Sequence, residues 1–117
     1  MSFVTEPGES SEGVRVLALS GQLDAHACHI LKDELNAQLE RGLLSVVLDC
    51  SRLEYISSAG LGVLKQMTGA FSNRDGVLCL SCVPAKVATV LDLLGFSHLI
   101  RVYASNRDAI VGCRTAT

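Results

Sequence analysis

The sequence contains few aromatic residues and few prolines. Phe, Trp and Tyr together make up 4% of its 117 residues, tryptophan is absent, and there are two prolines. Hydrophobic residues nevertheless make up 49% of the chain, so a folded core must be mainly aliphatic. This composition excludes a disordered chain, and the length is typical of one domain. We therefore expect a single domain over residues 1–117 with an aliphatic core.

Strong charge and long apolar runs are also missing. The formal net charge is −2 and no run rich in Lys and Arg occurs, so the sequence predicts no nucleic-acid partner. The N-terminal residues lack the basic start and apolar stretch of a signal peptide. No segment approaches the ~20 apolar residues that a membrane helix requires. We expect a cytoplasmic protein that does not insert into a membrane.

The cysteines are odd in number and lie in apolar segments, at positions 28, 50, 79, 82 and 113. Reduced thiols in a cytoplasmic core fit this pattern better than disulfides do. Cys79 and Cys82 form a C-x-x-C, but residues three apart on a strand point to opposite faces and no second pair completes a zinc site. His26 and His29 have no evident third ligand and fit a partner contact or a solvated face. We expect neither metal nor cofactor.

The hydrophobic pattern alternates between strands and helices in the order β-β-α-β-α-β-α-β-α. Strands separated by helices imply right-handed crossovers and a mostly parallel sheet, with an antiparallel edge from the first hairpin. We therefore predict an α/β fold, a mixed sheet of four to five strands with about four helices. Residues 1–13 would supply the edge strand and its turn, and the segment "LLSVVLDC" a buried strand.

Particular residues mark the ends of the predicted helices. Asp24 is a candidate N-cap of the first helix, and Gly42 stands where a glycine ends it. Pro84 suits the first turn of the third helix. Ser105 and Asp108 predict a capping box for the last helix. The predicted buried stripe of the third helix comprises Val87, Val90, Leu91 and Leu94.

The stretch YISSAGLGVL, Tyr55–Leu64, indicates a loop followed by the start of a helix. One of its two serines can cap the helix by accepting a hydrogen bond from a first-turn amide, worth ~1 kcal/mol. The second serine is then unexplained. A helix start carries partial positive charge, so an exposed serine there tolerates a phosphate. Gly60 and Gly62 would permit a partner to approach closely.

The topology predicts where this stretch lies. Functional sites of such sheets gather beyond the carboxyl ends of the strands. We expect Asp24, Asp49 and the Tyr55–Leu61 loop at that edge. The stretch has neither the Gly-x-Ser-x-Gly of a hydrolase nor the Gly-Lys-Ser/Thr of a Walker loop, and no nucleophile–base arrangement is evident. We expect no enzymatic activity.

Three segments together resemble the STAS domain, and specifically the free-standing bacterial anti-sigma factor antagonists. They are SGQLDAHAC (Ser20–Cys28), VVLDCSRLEYISSAGLGVL (Val46–Leu64) and the helix after Pro84. The resemblance runs from about Val14 to Arg107. The fold of that family, a mixed sheet of four or five strands with helices packed on it, agrees with the element order predicted above.

The resemblance implies a regulatory function in transcription by partner switching. In that family an anti-sigma factor that is also a serine kinase phosphorylates a serine at the start of the second helix. The unphosphorylated form binds the anti-sigma factor and frees sigma, and a separate phosphatase restores it. Ser58 occupies the acceptor position, and Ser57, where many members carry Asp, is the alternative acceptor.

The resemblance also implies the residues around the acceptor. The predicted neighbours of the phosphoserine are Asp24, Asp49, Ser57 and Gly60. The predicted partner-binding surface consists of Ile56, Ser58, Ala59, Leu61 and Gly62, with Ile56 and Leu61 offering apolar contact. An alternative is a STAS scaffold that does not act on a sigma factor. Another is a module that senses a small ligand or anion at the helix mouth, which the lack of a basic residue in YISSAGLG disfavours.

Overall fold

The computed structural model describes residues 4–7 and 13–116 and confirms the predicted order of elements. The strands are β1 (Val4–Pro7), β2 (Arg15–Leu23), β3 (Ser45–Ile56), β4 (Val77–Ser81) and β5 (Arg101–Tyr103). The helices are α1 (Ala27–Glu40), α2 (Ser58–Ser72), α3 (Ala85–Leu93) and α4 (Asn106–Ala116), with a 3-10 turn at Phe96–His98. Most of the turn predicted after the edge strand, residues 8–12, lies outside the described residues.

The five strands form one sheet in the order β1-β2-β3-β4-β5. β1 pairs antiparallel with β2, and the other neighbours pair in parallel. Each parallel pair is joined through a helix, because a parallel connection must cross from one end of the sheet to the other. The predicted α/β class and the antiparallel edge strand are therefore both confirmed.

The two faces of the sheet are covered unequally. Apolar residues of α1, α2 and α3 pack with one face to form the main core, which includes Leu31, Leu35, Leu48, Phe71, Leu80 and Leu91. A smaller cluster under α4 covers the other face and consists of Val14, Val16, Val47, Cys79, Ala109 and Cys113. No helix in the described ranges is long and apolar enough to cross a membrane.

β3 is longer than the sequence predicts, and the predicted loop at Tyr55–Leu61 is wrong. The strand continues to Ile56, so that Ser57 alone separates it from α2. Two register shifts each place one extra residue on β3 opposite β2. As a result Cys50, Leu53 and Ile56 are buried at intervals of three. This spacing differs from the alternation by which strands are recognised in a sequence.

Gly42 ends α1 as predicted, and Asp24 and Ser105 each accept a hydrogen bond at the start of a helix, although the N-cap position of α1 is His26. The Oδ1 atom of Asp24 accepts a hydrogen bond from the Ala27 amide at 2.8 Å, although the regular helix begins only at Ala27. Gly42 ends α1 with a φ of 77°, in the left-handed region that glycine favours. The Ser105 hydroxyl accepts from the Asp108 amide at 3.1 Å.

The predicted stripe of α3 is correct only in its first turns. Val87 and Leu91 are buried and Val90 is partly buried. Leu94 was expected in the core but is 58% exposed. The helix ends at Leu93, and the chain turns away at Gly95, whose φ is 73°. Leu94 therefore follows the turn and not the helical spacing.

Candidate functional site

The strands end at two different levels along the carboxyl edge of the sheet. We call the end of β4, at Ser81, the inner step, and the ends of β2 and β3, at Leu23 and Ile56, the outer step. α2 begins at the outer step. β4 pairs with β3 only as far as Asp49, whereas β2 and β3 remain paired to Leu23 and Ile56. The amide of Ser57 donates a hydrogen bond to the Leu23 carbonyl at 2.9 Å. The first turn of α2 is therefore anchored to the end of β2.

Ser57 is the N-cap of α2. Its backbone is extended, with φ −89° and ψ 169°, and its Oγ accepts a hydrogen bond from the Gly60 amide at 3.1 Å. The same hydroxyl donates to the Leu23 carbonyl at 2.9 Å. Ser57 is partly buried and uses its hydroxyl both as donor and as acceptor. This side chain holds the start of α2 against β2.

Ser58, the next residue, is the first residue of α2 and is exposed. Its hydroxyl has no hydrogen-bond partner within residues 4–7 and 13–116. The sequence predicts that one of the two serines caps the helix without indicating which. The structure assigns the cap to Ser57, and the Ser58 hydroxyl points into solvent beside the free amides of the helix start.

The two glycines in the first turns of α2 differ in whether the fold requires them. A Cβ atom on Gly60 would lie 2.8 Å from Cγ of Leu23 and 2.9 Å from its carbonyl oxygen. The packing of α2 on β2 therefore requires Gly60. An added Cβ on Gly62 would meet no atom within 4 Å, and Gly62 is exposed. The fold does not require a glycine there, although glycine costs a helix roughly 1 kcal/mol relative to alanine.

The exposed surface at the start of α2 is formed by Ser58, Ala59 and Gly62, and we call it the α2 face. Residues three and four apart on a helix are neighbours, so Gly62 lies beside both Ser58 and Ala59. Because these residues are small, this surface is nearly bare of side-chain atoms. Ile56 and Leu61 are 6% and 3% exposed and belong to the core. The prediction that their side chains offer apolar contact is therefore wrong. Both residues instead fix the position of the α2 face from below.

The structure brings Asp24 to this edge. Asp24 directly follows Leu23, the residue that contacts both Ser57 and Gly60. Its carboxylate caps α1 through Ala27, so it is already engaged by a backbone amide. His26 and His29 are exposed on the same end of α1. Among the described residues no group of His, Cys, Asp and Glu is arranged to hold a metal ion.

Asp49 is not near the start of α2, and its prediction as a neighbour of the acceptor serine is wrong. It lies seven residues before Ile56, on the inner step where β4 ends. Its Oδ2 accepts a hydrogen bond from Nδ2 of Asn106, the first residue of α4, at 2.9 Å. Asp49 therefore faces α4, whereas Leu48 beside it faces the main core.

Asp49 belongs to a polar cluster that the sequence does not indicate. The hydroxyl of the fully buried Ser81 donates to Oδ1 of Asn106, and Oδ1 of Asp49 accepts from the Ser51 amide at 3.0 Å. Burial raises the pKa of Asp49, but the hydrogen bonds from Asn106 and Ser51 outweigh burial and lower it below its ordinary value. This cluster joins β3, β4 and α4 and is a structural one.

Comparison with known proteins gives one consistent result. The family model "STAS domain" matches residues 8–109. BtrV of Bordetella bronchiseptica, provisionally named an anti-sigma factor antagonist, is 33% identical over 105 residues, 90% of each chain. An anti-sigma factor antagonist from Mycobacterium paratuberculosis superposes with a TM-score of 0.85 at 23% identity, covering 97% of this chain and 95% of that one.

The Bacillus cell fate determinant SpoIIAA in its phosphorylated form shares the same fold. It superposes with a TM-score of 0.71 at 18% identity, covering 93% of this chain and 98% of that one. At such identities the two structural likenesses establish the architecture of the chain.

Proposed function

This chain belongs to the STAS domain family, and from that premise we propose that it is an anti-sigma factor antagonist regulated by phosphorylation of Ser58. In this proposal the protein is cytoplasmic and acts by binding, without enzymatic activity of its own. Its partner is an anti-sigma factor that is also a serine kinase. Unphosphorylated protein binds this partner through the α2 face, and a phosphoserine phosphatase reverses the modification.

The observation that carries the proposal is the division of labour between the two serines. Ser57 caps α2, so the neighbouring Ser58 hydroxyl is exposed and unbonded among the described residues. A kinase must reach its acceptor hydroxyl in the folded protein, and Ser58 meets that requirement whereas Ser57 does not. Phosphate adds a charge of about −1.5 to −2 at the positive end of the helix, which the fold tolerates.

The bare α2 face explains why the modification would change binding. Ala59 and Gly62 present almost no side chain beside Ser58. A partner can therefore approach the α2 backbone closely and exclude water around the serine. A phosphate there would be desolvated without a matching cation, which is strongly unfavourable. Phosphorylation of Ser58 would weaken docking.

The relatives support the same role. BtrV, 33% identical over most of both chains, carries the name of an anti-sigma factor antagonist. SpoIIAA shows that a protein of this fold exists in a phosphorylated form. The competing function is a STAS scaffold without a sigma-related partner. Binding to the anti-sigma factor, measured in the second experiment, distinguishes this function from the proposed one.

The first experiment identifies the acceptor. Wild-type protein, Ser58→Ala and Ser57→Ala are incubated with the candidate anti-sigma kinase and ATP, and intact mass is measured. We expect one phosphate on the wild type and on Ser57→Ala and none on Ser58→Ala. Equal phosphorylation of Ser58→Ala and wild type would make Ser58 the wrong assignment and Ser57 the next to test.

The second experiment measures the effect of charge on docking by calorimetric titration against the anti-sigma factor. Ser58→Asp should lose affinity by roughly tenfold or more, equivalent to about 1.4 kcal/mol. Ser58→Ala should bind like the wild type. Thr89→Asp, which adds the same charge at an exposed position of α3, is the matched control. Unchanged affinity of a folded Ser58→Asp would leave the chain as a STAS binding module without this regulation.

A further inference from the structure

Two buried cysteines from distant parts of the chain are in contact. Sγ of Cys79 in β4 lies 3.0 Å from Sγ of Cys113 in α4, although the two residues are 34 positions apart in sequence. Both side chains are fully buried in the small cluster under α4. The sulfurs of Cys28 and Cys50 are instead directed at backbone carbonyls.

We propose that Cys79 and Cys113 are a dithiol modification site, which hydrogen peroxide converts into a disulfide that fastens α4 to the sheet. A disulfide bond is about 2.05 Å long, so the two sulfurs need to approach by only about 1 Å. The neighbouring Cys82 is not in this contact, because it lies beyond the end of β4 with its sulfur 3.9 Å from Oδ1 of Asn106.

The pair is also arranged for the chemistry of oxidation. A hydrogen bond from the Cys79 thiol lowers the pKa of Cys113 against the opposing effect of burial, and the Arg101 cation adds to the lowering. The same hydrogen bond, together with burial, raises the pKa of Cys79. Of the two thiols, Cys113 is therefore the one that ionises more readily.

The reaction balances with peroxide as the two-electron oxidant. The Cys113 thiol ionises, and its thiolate attacks one peroxide oxygen and breaks the O–O bond, which gives a sulfenic acid and a hydroxide that takes up the proton released by Cys113. The Cys79 sulfur then attacks the Cys113 sulfur and displaces hydroxide, which accepts the Cys79 proton as water leaves. Two thiols are oxidised to one disulfide, and peroxide is reduced to two water molecules.

Peroxide can reach the pair when α4 moves away from the sheet. Within residues 4–7 and 13–116, α4 is the helix whose buried residues pack on this face, and it is not a strand of the sheet. The contacts that hold it include the small apolar cluster and the hydrogen bonds of Asn106 to Asp49 and Ser81. Formation of the disulfide would then hold α4 closed, because the bond links its second half to the middle of β4.

The test treats reduced wild-type protein with hydrogen peroxide and measures intact mass and tryptic peptides without reductant. The variants are Cys79→Ala and Cys113→Ala, and Cys28→Ala is the control for a buried cysteine on the other face of the sheet. Trypsin leaves Cys79 and Cys82 together in the peptide of residues 75–86, and Cys113 in residues 108–114. Cys82→Ser therefore completes the set, because it identifies which cysteine of the first peptide is linked.

We expect wild type, Cys28→Ala and Cys82→Ser to lose two hydrogen atoms and to yield the linked peptides, with reversal by dithiothreitol. The linked wild type should melt higher than the reduced form, by on the order of 10 °C. Melting curves of the reduced variants show whether each variant is folded. If either alanine variant is unfolded, the peptide map of the wild type decides the outcome. Oxygen addition without linked peptides, or a linkage that persists in folded Cys113→Ala, would overturn the proposal.

Discussion

Ser57 and Ser58 show how strongly the role of a residue depends on one or two neighbouring atoms. The Ser57 hydroxyl accepts from the Gly60 amide and donates to the Leu23 carbonyl. An Asp at this position would also accept from the amide, since Asp and Ser are both preferred N-caps. An ionised Asp cannot donate to Leu23, so serine adds a bond to β2 that Asp lacks.

This assignment predicts different stabilities for the two alanine variants. Ser57→Ala removes a cap and leaves the partly buried contact to Leu23 unmade, so it should lower the free energy of unfolding by about 1–2 kcal/mol. Ser58→Ala removes an exposed hydroxyl and should change it by less than about 0.5 kcal/mol. Urea unfolding of both variants tests this. A larger loss in Ser58→Ala than in Ser57→Ala would reverse the roles assigned here.

Asp49 predicts a dependence of stability on pH. Its pKa in the folded protein is below the ordinary value of 3.8, because the hydrogen bonds from Asn106 and Ser51 outweigh burial. Its ionised form therefore stabilises the fold above pH 3.8, and this contribution disappears as pH falls through the lower, folded pKa. Asp49→Asn should flatten the acid side of the stability curve. Identical acid dependence of wild type and variant in unfolding titrations would disprove this role of Asp49.

Among the elements, α2 combines a tightly packed position and a free one within its first turns. Gly60 lies against the backbone and side chain of Leu23, whereas Gly62 faces open space. The same substitution at these two positions therefore provides a matched pair. Comparing the two variants separates the glycine that the packing of α2 requires from the glycine that leaves the α2 face open to a partner.

Gly60→Ala should destabilise the protein, because its Cβ would force α2 away from Leu23. Gly62→Ala should raise the free energy of unfolding by up to roughly 1 kcal/mol, because alanine favours the helix. In the proposed function, Gly62→Ala should also weaken the anti-sigma factor complex by adding a methyl group to the α2 face. Thermal unfolding and calorimetric titration measure the two effects. A stable Gly60→Ala would contradict the close packing on β2.

β3 shows how one element sets the position of the site. The two extra residues that β3 carries opposite β2 let the strand continue past the end of β4. Asp49 consequently lies at the inner step, and Ile56, the last residue of β3, lies at the outer step just before the start of α2. The distance between Asp49 and Ser58 follows from this extension.

For the molecule as a whole, the burial of each cysteine predicts which thiols react. Cys82 is partly exposed, while the other four cysteines are buried. Freshly reduced native protein should therefore expose one fast-reacting thiol, and five after denaturation with prompt alkylation. Counting with a chromogenic disulfide reagent tests this. Fast reaction of Cys28 or Cys50 would contradict the packing of the main core.

The sequence by itself determined the order of strands and helices, the parallel sheet, the end of α1 and the start of α4. These features depend on periodic burial and on capping contacts between residues a few positions apart, as for Gly42 and Ser105. It also indicated that one of two serines would remain after the other capped α2. Each of these properties depends on residues that are close together in the sequence, so one sequence is enough to predict it.

The tertiary structure alone decided which serine is free, which residues form the α2 face and where Asp49 lies. Ser57 is the cap because Leu23, 34 residues earlier, accepts its hydroxyl. Asp49 lies apart because strand register places it opposite Ser81. Such contacts depend on bulges, register and helix packing between distant segments, and they cannot be predicted from hydrophobic periodicity.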